Sequence, residues 1–371
     1  EVFSQVAERT GDAAVRVRLL GRVDEIARDK LKQPERVLKA YEGILATDVH
    51  NRVVARAAAE LYESFERWGR LLATYEILLG PEAEPALSTG ESLAILERAR
   101  YICETKLDAK SLAFKWCARA YRLAPQDPDV YADLERVGEA AEEWEALLGL
   151  LAARLDIQGE QAPSAEERLN LLRRCLFISG ERVERPDDVK RFADQILALQ
   201  PGDERAETAL LKLFTRGERW PELIALQYQR QARFADPMLR AELLMRIARM
   251  QEEYLADRTA AAGVLREACD VEPENLRLVR ELARILEALG DTRSLVEVLR
   301  RESKLCPDEQ KAGVFLRMGK LLETPLAQPA PATEAYLQAL EVDPISAEAV
   351  EGLERLFSAG VVATTDIPRV A

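Results

Sequence analysis

The sequence predicts an all-α protein with no β-sheet, a right-handed α-solenoid of stacked antiparallel helix hairpins. Three observations carry that prediction. Apolar residues recur at helical spacing along most of the chain, and prolines and tryptophans return at a fixed interval. No stretch alternates apolar with polar residues in the Val-, Ile- and Thr-rich manner of a strand. With 18 Gly and 17 Pro among 371 residues, 48% apolar and 32% charged, the composition is that of a helix-rich protein.

The pattern is clearest between residues 242 and 344. Leu244, Ile247, Ala248, Tyr254, Ala261, Leu265 and Ala268 precede Pro273, and Leu278, Leu282, Ala283, Leu286, Leu295 and Leu299 precede Pro307. The two prolines are 34 residues apart, the length of two short helices with their turns. A hairpin that small cannot hide its own apolar stripe, so it has to stack on copies of itself. Met318, Gly319, Ala332, Tyr336, Ala339, Leu340 and Pro344 continue the pattern. Over about 242–357 the chain resembles the tetratricopeptide repeat (TPR) family.

A longer period organises the rest. Trp68, Trp144 and Trp220 are 76 residues apart, each opening a W-x-x-L with Leu71, Leu147 and Leu223. Pro125, Pro201, Pro273 and Pro344 follow at intervals of 76, 72 and 71. The repeating unit is therefore two hairpins. Residues 12–80, 88–156, 164–235 and 237–305 each read helix, helix, corner, helix, helix, and 307–360 holds three helices.

At the front, Val2, Phe3, Val6 and Ala7 lie at helical spacing before a Thr10-Gly11-Asp12 stop. Residues 1–9 align with the end of a preceding repeat, so the chain reads as a segment of a longer array. Residues 361–371 have no helical period and are expected to form a disordered tail. The stretches 80–90, 158–164 and 235–237 read as loops inside one solenoid spanning 1–360, because the apolar period resumes in phase after each. The stretch 324–331 (TPLAQPAP) is expected to be a stiff, extended excursion, with three prolines where other hairpins have a short turn.

Charge and composition narrow the function. A formal charge of −13 opposes wide phosphate binding, so nucleic acid is not expected as a partner. No apolar run reaches the roughly 20 residues that span a bilayer. Cys103, Cys117, Cys175, Cys269 and Cys306 are odd in number and widely spaced, which reads as reduced, buried thiols in a cytoplasmic protein. His50 is the single histidine and reads as a solvated corner residue. No phosphate-cradling glycine loop, HExxH or EF-hand loop is present, so neither enzymatic chemistry nor a cofactor or metal is expected.

Two rows of residues follow the period. The tryptophans read as packing residues, while Trp116 lies outside their row, with burial against the next helix favoured over a surface contact. The second row is an arginine ladder. In the first helix of every unit an apolar residue precedes Arg by two positions: Leu20/Arg22, Leu96/Arg98, Leu172/Arg174, Leu244/Arg246 and Phe315/Arg317. In the third helix the corresponding row reads Ala55, Tyr131, Glu207 and Arg280.

The resemblance implies that Arg246, Arg280 and Arg317 fall where a repeat points into its concave groove. A line of guanidiniums including Arg98, Arg174, Arg246, Arg280 and Arg317 would hold carboxylates of an acidic peptide by paired hydrogen bonds. The alternative is that each Arg reaches a carboxylate of its own or the next repeat and sets the stacking register. The family's carboxylate-clamp pattern, which needs Asn beside Lys or Arg, does not appear. The expected function is a non-enzymatic scaffold that binds a protein or peptide along its concave face. The competing reading is a structural assembly segment that self-associates or packs within a larger complex.

Overall fold

A computed structural model describes residues 2–10, 13–26, 34–81 and 87–358. The chain divides into two compact units, Glu1–Ile196 and Leu197–Ala371. The first contains α1 (Val2–Arg9), α2 (Ala13–Glu25), α3 (Pro34–Thr47), α4 (Arg52–Ser64), α5 (Trp68–Leu78), α6 (Thr89–Thr105), α7 (Lys110–Leu123), α8 (Pro128–Ala140), α9 (Trp144–Leu155) and α10 (Ala165–Glu181). The boundary falls inside α11 (Pro186–Leu199), midway through a period rather than in a loop between periods. The second contains α12 (Glu204–Arg216), α13 (Trp220–Gln231), α14 (Pro237–Leu255), α15 (Arg258–Val271), α16 (Leu276–Leu289), α17 (Thr292–Leu305), α18 (Asp308–Glu323), α19 (Pro329–Val342) and α20 (Ala347–Ser358).

The described residues form no β-sheet, and α2–α17 fall four to a period, followed by the three helices α18–α20. The expected disordered tail, 361–371, and much of the 80–90 loop lie outside the described residues.

Four of the corners are built the same way. Two residues after the corner proline comes a short polar side chain that caps the next helix: Asp127 accepts from the Asp129 amide at 2.9 Å, Asp203 from Ala206 at 3.0 Å and Asn275 from Arg277 at 3.1 Å. Asn51 does the same for Val54 in the one corner without a proline. These caps satisfy amides that a helix start leaves without partners and hold the chain where it reverses.

The turns are equally regular. Between first and second helices an amide reaches back six residues: Ala109 to Cys103, Arg185 to Ser179, Asp257 to Gln251 and Gln328 to Leu322, all at 2.8–3.0 Å. The residue before each donor is left-handed: Asp108, Glu184, Ala256 and Ala327, with φ of 46–53°. The third-to-fourth turn places Glu66, Glu142, Glu218 and Gly290 in the same conformation. Only the last is the glycine that conformation favours.

Residues 324–331 do not form the expected excursion. The turn is closed by the same Gln328-to-Leu322 bond as its counterparts, and Pro329 and Pro331 lie in the first turn of α19. Proline is tolerated there because the first amides of a helix have no intrahelical acceptor.

The core runs as a stripe inside each unit. Leu71, Leu147, Leu223 and Leu295, one per period, are 0, 0, 5 and 2% exposed. Leu96, Leu172 and Leu244, which precede the ladder arginines, are also buried. Trp116 is in the core at 3% exposure. The row tryptophans are half-buried, because each occupies the first position of its helix. The leucine three residues on is the buried member.

Candidate functional site

The first helices of the periods present the ladder, and its geometry follows one rule where a partner exists. Arg98 on α6 reaches back to Glu63 on α4, with Nε 3.0 Å from the carboxylate. Arg174 on α10 contacts Glu135 at 2.7 Å and also Glu139, both on α8. Arg317 on α18 pairs with Glu287 on α16 at 2.5 Å. Glu63, Glu139 and Glu287 share one place in the period, so these three rungs are equivalent. The hydrogen bond to Glu63 raises the Arg98 pKa above its ordinary value.

The fourth rung differs. The residue in the place of those glutamates is Thr215, on α12. Among the described residues Arg246 makes no ion pair or side-chain hydrogen bond, and it is exposed. Arg22, the first of the series, pairs with Glu25 of its own helix.

Arg280 sits one residue past the register the sequence suggested. Val279 holds the place of Glu207 and is fully buried, so Arg280 lies on the neighbouring flank. There it bonds Glu302 at 2.8 Å and also Gln310, as Arg56 bonds Glu91 at 3.0 Å in the first unit. Glu207 is itself buried and held by Arg230 at 3.0 Å and by Arg233.

A second row was not recognised in the sequence, although the same intervals place it there. Three residues after the five first-helix arginines stand Glu25, Tyr101, Phe177, Arg249 and Lys320. Tyr101 and Phe177 are 43 and 41% exposed, with Arg98 and Arg174 lying 5.2 and 5.3 Å from their ring centroids. Arg249 and Lys320 are exposed as well, and reach Glu281 and Glu348. Between them run further rungs: Arg136 to Glu104 at 2.6 Å, Arg284 to Glu252 at 2.5 Å and Arg355 to Glu323 at 2.9 Å. In all three the arginine's hydrogen bond holds the carboxyl below its ordinary pKa.

The tryptophan row marks the seams between consecutive periods. Lys106 lies 5.5 Å from the Trp68 ring centroid, Arg182 lies 4.8 Å from that of Trp144, and Tyr254 stacks on Trp220 at 3.8 Å with 9° between planes. The partner residue again holds one place in the period, so each of the three indoles meets the same position of the following period.

Other expected features take their places around these rows. All five cysteines are buried and free. Burial pushes the Cys103 thiol up to about 11 and the Cys117 and Cys175 thiols up to about 12. His50 is an exposed corner residue. Among the described residues no group of three or more His, Cys, Asp or Glu could hold a metal, and no helix is long and apolar enough to cross a membrane.

Hairpins repeated in register, with one buried stripe and one ordered set of exposed rows, define an all-helical repeat array, an α-solenoid. No protein-family model matches the chain, and no curated protein matches it. The solved structures similar to it include TPR proteins. One is YrrB, described as a TPR protein with an unusual peptide-binding site, at 14% identity, covering 50% of this chain and 91% of that one, with a TM-score of 0.27. A TPR protein from Parabacteroides merdae is 14% identical over 72% of this chain and all of its own, with a TM-score of 0.28. The TPR2AB domain of yeast Sti1, in a complex with pHSP90, is 13% identical over 72% of this chain and 98% of its own, with a TM-score of 0.27. Likenesses of this degree carry no weight for function, and the architecture rests on the helices themselves.

Proposed function

We propose that this chain is a non-enzymatic scaffold that binds a protein or peptide partner along the inner, concave face of its hairpins. The observation that carries this reading is the second row. Tyr101 and Phe177 are large rings left about 40% exposed at one place in two consecutive periods. An exposed aromatic ring under a guanidinium offers a partner both apolar area and a cation, the two features enriched at the anchoring points of interfaces.

The ladder arginines supply the complement to an acidic partner, and most of them already hold a carboxylate of this chain. The rings are therefore the anchors, and the ladder mainly positions them. The test is a Tyr101→Ser, Phe177→Ser double variant, immobilised beside the parent protein and exposed to the same candidate partners. Capture should fall at least tenfold while far-UV circular dichroism is unchanged. Unchanged capture, together with concentration-dependent dimers in light scattering, would overturn the scaffold in favour of self-assembly.

A further inference from the structure

The scaffold reading leaves open which part of the surface selects a partner's charge, and the broken rung answers that. We infer that Arg246 is a binding site for an Asp or Glu side chain of an extended peptide, which takes the place that Glu63, Glu139 and Glu287 fill elsewhere. The inference rests on the scaffold reading and narrows it from five arginines to one.

Three observations converge on this position. Arg98, Arg174 and Arg317 each close on a carboxylate at one place in the period, so the geometry of the rung is built into the hairpin. At Thr215 the acid is absent and the guanidinium is still present, exposed and without an ion pair among the described residues. Glu242, one turn earlier on the same helix, is exposed too and does not pair with it. The third observation is local charge. Arg216 follows Thr215 on α12, and Arg249, itself paired with Glu281, follows Arg246 on α14, in a chain whose formal charge is −13. An unpaired guanidinium on an acidic protein is a point at which an acidic segment is drawn rather than repelled.

The chemistry favours a side-chain carboxylate. A guanidinium presents parallel N–H donors that match the two oxygens of a carboxylate. Arg280 and Arg317, the other ladder arginines of the second compact unit, are already engaged with Glu302, Gln310 and Glu287. An incoming acid meets a free guanidinium only at Arg246, among those three.

The test selects a random twelve-residue phage-displayed peptide library on the whole chain, then measures the recovered peptides by fluorescence anisotropy. The expected peptides are enriched in Asp and Glu. They should bind Thr215→Glu and Arg246→Glu at least tenfold more weakly than the parent, and Arg246→Lys should retain part of the affinity. Thr215→Glu supplies the missing acid in cis, so its loss of binding with unchanged helicity is an effect that unfolding would not produce. Peptides that bind Thr215→Glu as well as the parent would overturn the rung site and leave the scaffold reading standing. Recovery of no binding peptide at all would overturn both.

Discussion

The two compact units use one register for opposite chemistries. In the first, the place three residues after the ladder arginine holds Glu25 and then two exposed rings, Tyr101 and Phe177; in the second it holds Arg249 and Lys320, each tied to a glutamate. The interior shows a matching contrast. At one place in α7, α11, α15 and α19 stand Cys117, Ala193, Leu265 and Tyr336, and the facing place in α6, α10, α14 and α18 holds Arg100, Leu176, Ala248 and Gly319. From Ala193 onward one side chain grows as the other shrinks, until Tyr336 fits only because Gly319 and Gly352 lack a Cβ. An added Cβ at either would lie 2.6 Å from the ring. The lesson is that volume across a hairpin is conserved as a sum, while the outward row is free to change.

The strongest way to break the comparison is at its extreme. Tyr336→Ala should cost about 3–5 kcal/mol, the usual cost of removing a buried aromatic, measured by urea unfolding. Gly319→Ala should cost about 1–3 kcal/mol by overpacking. Joined with Tyr336→Leu it rebuilds the Ala248/Leu265 pair of the preceding period, and the double variant should lose less than the sum of the two single changes. Strict additivity would sink the idea of a conserved volume.

The next effect is at the seams. Trp220→Ala should cost about 2 kcal/mol, below the core value because the indole is half-buried. Tyr254→Lys, which gives the second unit the Trp–cation seam of the first, should cost under about 1 kcal/mol in thermal unfolding. An equal loss from both changes would show that aromatic stacking, and not the indole's burial, holds the seam.

How much of this could be read from the sequence is set by what a period can encode. Helix positions, corners and the number of hairpins per unit were legible, because apolar spacing and proline return directly reflect what must be buried and where the chain must turn. The capping row Asn51, Asp127, Asp203 and Asn275 was equally present and went unread. The tryptophans read as packing residues, and their depth was not legible, since an indole at the first position of a helix has solvent on one side. Prolines 329 and 331 misled because proline signals either a loop or a helix start, and only the Gln328-to-Leu322 bond decides between them. The expectations for the arginine ladder left two partners open, since a repeated arginine looks the same whether its carboxylate comes from the next helix or from another molecule.

Acid should affect both units over one window. The carboxyls of Glu104, Glu252 and Glu323 lie below their ordinary value of 4.5 because arginines donate to them. A depressed folded-state pKa means that the stabilisation is complete above the ordinary value and is lost as pH falls through the lowered one. Each pair is half-exposed on its arginine side, so about 0.5–1 kcal/mol per rung is expected. Melting temperatures between pH 7 and pH 3 should hold steady and then fall below about 4.5, with a smaller fall in Glu104→Gln. The smallest effect is in the turns. Glu142→Gly relieves a left-handed residue where the second unit already has Gly290, and should gain at most about 1 kcal/mol.

The regular turns and short-range rungs have a further consequence for how the chain assembles. Even a far-reaching bond, Arg119 to Glu76, joins residues only 43 apart, so contact order stays low and no distant strand has to be found before structure becomes worthwhile. Folding can start at whichever hairpin forms first and spread like a zipper in both directions, and under mechanical load a terminal hairpin can peel away and re-dock without the remainder having to melt.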